Sequence, residues 1–361
     1  MITMASYIIN NSELNSEENM YSKTDQEYCM YKYKSPPVSE VFYKYRSVIT
    51  QNDKVVCVSP SKSVPYRAFC DRHSAKESVV AEEFIEGTMM NVFWDGFNWK
   101  TSTRFKMDGS CFFFQENGYF GIMFKETLDV CHIDLNELNK EYCYSFVMQH
   151  PENRIVTAFE TPQLYLIEAY KISEINKNET RVEVVSNVRN DPYWGSTLIR
   201  FPARLNFGLT DIISNMPYTI MGVSFKETVS GDRCKLRNSA YEYVRQLRGN
   251  QPKLSYRYLE LRKTSQVKEY LSYYPEHSDH FKKFQDNLHK YTTGLYHTYV
   301  ALNIKKTVQL EQVDSRFRPS LKRLHVYYKE VLAPQKKYIT MSEVIQYVNA
   351  LPEPIQMGFI Q

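Results

Sequence analysis

Near residue 255 the hydrophobic period of this chain changes, and that change limits what it can fold into more than any other feature. From about Val41 the sequence runs in short stretches rich in β-branched and aromatic residues, separated by turn residues: YRSVI, KVVCVSP, MMNVFWDG, NWKTSTRF, SCFFF, YCYSFVM, NRIVTAF and QLYLIEAYKI. Alternation of this kind predicts strands. WDGFNW predicts a hairpin turning at Asp95-Gly96. Two helices interrupt the strands, one within Gly121 to Leu138 and one over Ser239 to Leu247. Beyond residue 255 apolar residues recur at three and four. HSDHFKKFQDNLHKYTTGLYHTYVALNI reads as a helix, as does FRPSLKRLHVYYKEVL with Pro in its first turn. TMSEVIQYVNALP is a third, starting on a Thr cap and stopping at Pro352. The expectation is an α+β domain with antiparallel sheets over residues 41–254 and an all-α C-terminal domain over 255–361. Residues 1–40, rich in Asn, Ser, Glu and Lys, read as a flexible or loosely attached leader, with YIIN able to add an edge strand.

Charge and cysteine usage narrow the function. The whole chain is only mildly basic, at +4, but residues 255–361 carry 16 Lys/Arg against 10 Asp/Glu. A basic last third suits a polyanionic partner, and equally an ordinary solvated helical surface. Arg257, Arg262 and Lys263 lie in the basic run LRGNQPKLSYRYLELRK, interleaved with Tyr256 and Tyr258, a pattern suited to RNA backbone contact and base stacking. The seven cysteines form no CxxC pair and no zinc spacing, so no protein-held metal is expected and a reducing compartment is. No run reaches 18 apolar residues; the expectation is a soluble cytoplasmic protein.

KMDG, Lys106 to Gly109, has the form of the motif by which some enzymes carry a nucleotide on a lysine. The same residues make good turn chemistry between strands. Two longer stretches decide how it is weighed: KYRSVITQNDKVVCVSPSKSVPY (44–66) and YCYSFVMQHPENRIVTAFETPQLYLIEAY (142–170). Together they resemble the adenylyltransferase domain of the bacteriophage-type RNA ligases, the RNA ligase 1 family, as found in RNA-ligase-like proteins of large DNA viruses. The resemblance covers about residues 41–250.

That resemblance implies a covalent nucleotidyltransferase domain of ATP-grasp-like architecture. It further implies ATP and Mg²⁺ as cofactors and RNA ends as partners. In such enzymes a lysine attacks the α-phosphate of ATP and passes the adenylyl group to a 5′-phosphate. Position by position, Arg46, Lys62, Arg104, Lys235 and Arg237 match the family's phosphate-binding cations. The nucleophile position holds Phe84, the ribose-binding carboxylate is replaced by Val147, and Met221 stands where a glutamate is expected. Asn153 and Arg154 read as architectural. Two alignments remain open: Phe84 at the nucleophile position, or Lys106 as a displaced nucleophile with the preceding hairpin inserted. Three functions follow: an active RNA ligase or related nucleotidyltransferase, an inactive ligase fold that binds RNA ends or nucleotide, or a viral structural protein.

Overall fold

The computed structural model describes residues 5–73, 78–111, 119–205, 216–251 and 253–360. The chain divides into two compact units, Met1–Gln246 and Leu247–Gln361, so the division falls inside helix Ser239–Arg248 rather than at residue 254.

The first unit is built from three antiparallel sheets. Its strands are β1 (Ser6–Asn10), β2 (Met20–Asp25), β3 (Tyr28–Tyr33), β4 (Val48–Gln51), β5 (Lys54–Val58), β6 (Val79–Glu83), β7 (Thr88–Trp94), β8 (Trp99–Ser102), β9 (Tyr142–Gln149), β10 (Gln163–Asn176), β11 (Glu179–Val184), β12 (Arg204–Leu205), β13 (Gly222–Glu227) and β14 (Arg233–Arg237). A six-stranded sheet runs in the order β1, β11, β10, β9, β7, β8; two four-stranded sheets run β12, β6, β13, β14 and β2, β3, β4, β5. Its helices are α1 (Asn11–Leu14), α2 (Tyr66–Arg72), α3 (Phe120–Val130) and α4 (Ser239–Arg248).

The segment read as a loose leader is therefore structural. β1 is the edge strand of the large sheet, paired in register from Ser6↔Glu183 to Asn10↔Glu179. β2 and β3 form half of a small sheet whose inward residues Met20, Tyr28 and Met30 join a core with Tyr45, Val48, Ile49 and Phe93. Its polar average conceals these buried apolar residues.

Several expected strands are present: the turn at Asp95-Gly96 joins β7 to β8, with the Asp95 carboxylate accepting from the amides of Phe97 and Asn98 at 2.8 and 2.6 Å. NRIVTAF is not a strand; residues 154–159 form a loop after β9. Most of SCFFF lies outside the described residues.

The large sheet is apolar on both faces. One side packs Met90, Val92, Phe146, Met148 and Leu164 against Met123, Phe124 and Leu128 of α3. The other contributes Phe93 and Cys143 to the core shared with the small sheet.

The second unit is all-helical: α5 (Leu254–Lys263), α6 (Val267–Tyr273), α7 (Ser278–Tyr299), α8 (Arg318–Tyr327), α9 (Met341–Ala350) and α10 (Glu353–Ile360). Thr340 caps α9 in a capping box with Glu343, which reaches back to the Thr340 amide at 3.0 Å. Aromatic rings fill the unit's interior: Tyr270 stacks on Tyr274 and Phe281 at 4.8 and 5.1 Å between centroids, and Tyr291 on Phe359 at 3.6 Å. Among the described residues no helix is long and apolar enough to cross a membrane.

Candidate functional site

The sheet β12-β6-β13-β14 has one apolar face, where Val79, Ala81, Val223, Phe225 and Cys234 pack around Phe69 of α2. Because side chains alternate along a strand, the other face receives Val80 and Glu82 from β6, Ser224 and Lys226 from β13, and Arg233, Lys235 and Arg237 from β14. Register aligns them in rows: Val80 beside Lys226 beside Arg233, then Glu82 beside Ser224 beside Lys235. In the next row the Phe84 amide donates to the Gly222 carbonyl at 3.1 Å, and Gly222 pairs with Arg237. Gly222 has φ of +140° and a Cβ there would lie 2.2 Å from the Leu236 oxygen, so the middle of this row carries no side chain. The basic side chains of β14 reach Phe84 across it. Lys235 places its amino group 4.2 Å from the centre of the Phe84 ring, and the Arg237 guanidinium lies 5.8 Å from it.

Other elements add cations. Arg46 follows the 3₁₀ turn Glu40–Tyr45, just before β4. The hydroxyl of Ser47 donates to the carbonyl of Arg104 at 2.7 Å, which ties the turn after β8 to the start of β4. Arg46 and Arg104 therefore belong to the same group of charges. Burial, together with Arg104 and Arg233, pushes the Arg46 guanidinium down to about 10. Burial, and then Arg46, Arg233, Arg237 and Arg104, push the Lys235 amine down to about 6, so at neutral pH it is largely uncharged. Arg237 is paired with Glu242 at 2.7 Å and Arg233 with the buried Glu168, whereas the side chains of Arg46, Arg104 and Lys235 have no hydrogen-bond or ion-pair partner among the described residues.

Four of the five cations expected as phosphate ligands thus converge. The fifth, Lys62, stands apart: its amino group lies 4.1 Å over the Tyr43 ring, on the wall of a cavity of about 770 Å³. That cavity contains an ion network which sequence reasoning missed. Glu82 accepts from Arg189 at 2.6 Å and from Lys226 at 3.2 Å, and Glu168 of β10 accepts from Lys226 at 3.0 Å, from Arg233 and from Tyr170. Although burial opposes its charge, Arg233 and Lys226 hold the Glu168 carboxyl down to about 2. One signal was present, since extending the Lys235, Arg237 alternation back one step reaches Arg233. Nothing in the sequence placed Glu168 opposite it.

Val147 is buried with Ile85 and Tyr165. Glu86, two residues after Phe84, faces away from the cations. Its carboxylate accepts from the amides of Val156 and Thr157 at 2.7 and 3.1 Å, while the Asn153 amide donates to Thr88 at 2.7 Å. Glu86 and Asn153 fasten the loop after β9. Glu82 and Glu168 are saturated by basic partners, and among the described residues no cluster of three His, Cys, Asp or Glu forms. The donor set does not fit a divalent ion held by the protein.

KMDG is a turn. Asp108 and Gly109 have φ of +54° and +60°, and the Gly121 amide at the start of α3 donates to the Gly109 carbonyl at 3.1 Å. A Cβ on Gly109 would lie 2.6 Å from the Gly121 nitrogen. Met107 enters the core shared by the two sheets. Lys106 points to the β2–β3 hairpin, its amine 3.3 Å from the Asp25 carboxylate, and does not line the cavity.

In the second unit the three cations expected to meet RNA have internal partners. Arg257 donates to the Leu247 carbonyl and pairs with Glu260 at 2.9 Å, Arg262 contacts Asn349, and Lys263 pairs with Glu353 at 2.9 Å. Tyr258 is buried against Phe281 and Phe284, so it presents no ring for stacking.

No protein-family model matches the chain. It is 23% identical over 271 residues to an "Immediate-early protein ICP-46 homolog" of Invertebrate iridescent virus 6, covering 68% of this chain and 58% of that relative. Among solved structures it is similar to a putative ATP-dependent DNA ligase from Aquifex aeolicus, with 15% identity, a TM-score of 0.44, and 66% and 64% of the two chains covered. It is also similar to an archaeal ATP-dependent RNA ligase, at 11%, 0.42, 69% and 64%. A Naegleria gruberi RNA ligase solved with pyrophosphate matches at 12%, 0.36, 60% and 65%. The chain spans less than two thirds of each of these proteins.

Proposed function

We propose that this chain is an RNA-ligase-like nucleotidyltransferase that binds ATP through its phosphates at the Phe84 cation cluster, and that RNA ends are its acceptor. One observation carries the reading: the side chains of Arg46, Arg104 and Lys235 come together with no ion-pair partner among the described residues, in a group where Arg233 and Arg237 raise the positive potential further. Uncompensated, partly buried positive charge is costly, and a polyanion is the ligand that relieves it. Arginines suit this task because the planar guanidinium stays charged and bonds phosphate oxygens two at a time.

Among the described residues no cluster of carboxylates stands ready to hold a divalent ion, so Mg²⁺ would arrive on the nucleotide's own phosphates. Contact between α5 and RNA is not part of this reading, because Arg257, Arg262 and Lys263 are already partnered.

Calorimetry of the full chain with ATP in Mg²⁺ buffer tests it. Removing one charge-assisted contact costs about 1.5–3 kcal/mol, so Arg46→Ala should weaken ATP binding about 10- to 100-fold. Folding is to be checked by circular dichroism. Affinity should also fall steeply as salt is raised. An Arg46→Ala variant that binds ATP as tightly as the natural chain would refute the assignment.

A further inference from the structure

We propose that Lys235 is the nucleophile of this protein, accepting the nucleotide from the strand opposite Phe84. The proposal rests on the nucleotide-binding reading above and adds the covalent step to it. A lysine at position 84, just after β6, would stand in the row that also holds Gly222 and Arg237. In its place the Phe84 ring has the Lys235 amino group directly over it, 4.2 Å from its centre. The reacting amine is thus delivered to the same spot from β14, over a gap that Gly222 keeps open.

Three properties of the site suit that role. The Lys235 amine has no hydrogen-bond or ion-pair partner among the described residues, so its lone pair is not occupied by a neighbour. It stands among cations that would receive the charge of a triphosphate: Arg46, Arg104 and Arg237. The same cations and the partial burial keep it largely unprotonated at neutral pH, the state in which an amine attacks phosphorus. Lys106, the other lysine considered, is held by a carboxylate at 3.3 Å.

The step balances as follows. The Lys235 Nζ lone pair attacks the α-phosphorus of ATP, an N–P bond forms, and the P–O bond to pyrophosphate breaks. The amine enters as NH₂ and remains as the NH of a phosphoramidate, giving one proton to water. Transfer onward to a 5′-phosphate reverses this: the nitrogen regains a proton as the N–P bond breaks and a phosphoanhydride forms.

The experiment is covalent labelling of the full chain with α-labelled ATP, and GTP in parallel, in Mg²⁺ and in Mn²⁺. The labelled residue is located by mass spectrometry, and ATP affinity is measured on the same samples. Label should appear on Lys235 and should rise with pH as the amine deprotonates. Lys235→Arg should lose the label while still folding, as circular dichroism checks, since a guanidinium offers no nucleophilic lone pair at neutral pH. Label on Lys106, or label surviving Lys235→Arg, would overturn the assignment. So would an unlabelled natural chain that binds ATP, which would leave a ligase fold that only holds its nucleotide. A natural chain that neither binds ATP nor takes label would instead sink the nucleotide-binding reading, and this proposal with it.

Discussion

At the scale of single residues, Lys235 shows how an amine buried among arginines costs stability. Its ordinary value near 10.5 is pushed down to about 6 by burial and by four arginines. Between those values the unfolded chain holds a proton that the native chain lacks, so stability should rise with pH across that window. Below pH 6 both states are protonated and the native penalty is greatest. Lys235→Met should therefore stabilise the protein by on the order of 1–3 kcal/mol at pH 6, after discounting for partial exposure, and by less as pH rises. Denaturant melts of both proteins from pH 6 to 9 would show it; a constant difference across that range would mean the amine is not depressed. The alignment predicted that this neighbourhood would be cationic, from Arg46, Arg104, Lys235 and Arg237. It could not reveal that Lys235 lies on Phe84, because that contact depends on register between strands and on the missing side chain at Gly222.

At the scale of elements, KMDG illustrates a motif whose letters serve geometry. Gly109 combines a left-handed φ with close approach to the N-terminus of α3, where any Cβ meets Gly121. Gly109→Ala should cost about 1–3 kcal/mol, the size expected for forcing a side chain into such a conformation. Thermal melts measure it, and an unchanged Tm would refute the turn assignment. Strand β14 was legible through its alternating basic residues, and α9 through its Thr cap and terminal Pro. NRIVTAF looked like a strand because it is apolar and β-branched, yet past its first residue it is a loop, fastened by Glu86, which accepts from the Val156 amide, and by its own Asn153, which donates to Thr88. β2 and β3 were missed for the opposite reason, since their exposed polar residues outweighed the few buried apolar ones in the local average.

At the scale of the molecule, Glu168 links the six-stranded sheet to the sheet β12-β6-β13-β14: it sits on β10 and pairs with Lys226 of β13 and Arg233 of β14. Its depressed carboxyl contributes stability that is complete above the ordinary carboxylate value of 4.5 and is lost as pH falls from there toward 2. Glu168→Gln should destabilise the protein by about 3–5 kcal/mol at pH 7, because it leaves buried cations without their counter-charge. The loss should shrink in acid; chemical denaturation at pH 7 and pH 3 measures both, and an equal loss at the two values would count against the link. By itself the sequence determined the change from strands to helices, the separate helical region and the identity of most cations in the cluster. These follow from periodicity and residue type, which are local. Only the tertiary structure decided that the leader is part of two sheets, that Lys106 belongs to a turn, and that Lys235 stands over Phe84 among arginines. Those outcomes depend on which strands pair and in what register, and residues brought together by pairing leave no mark on their sequence neighbours.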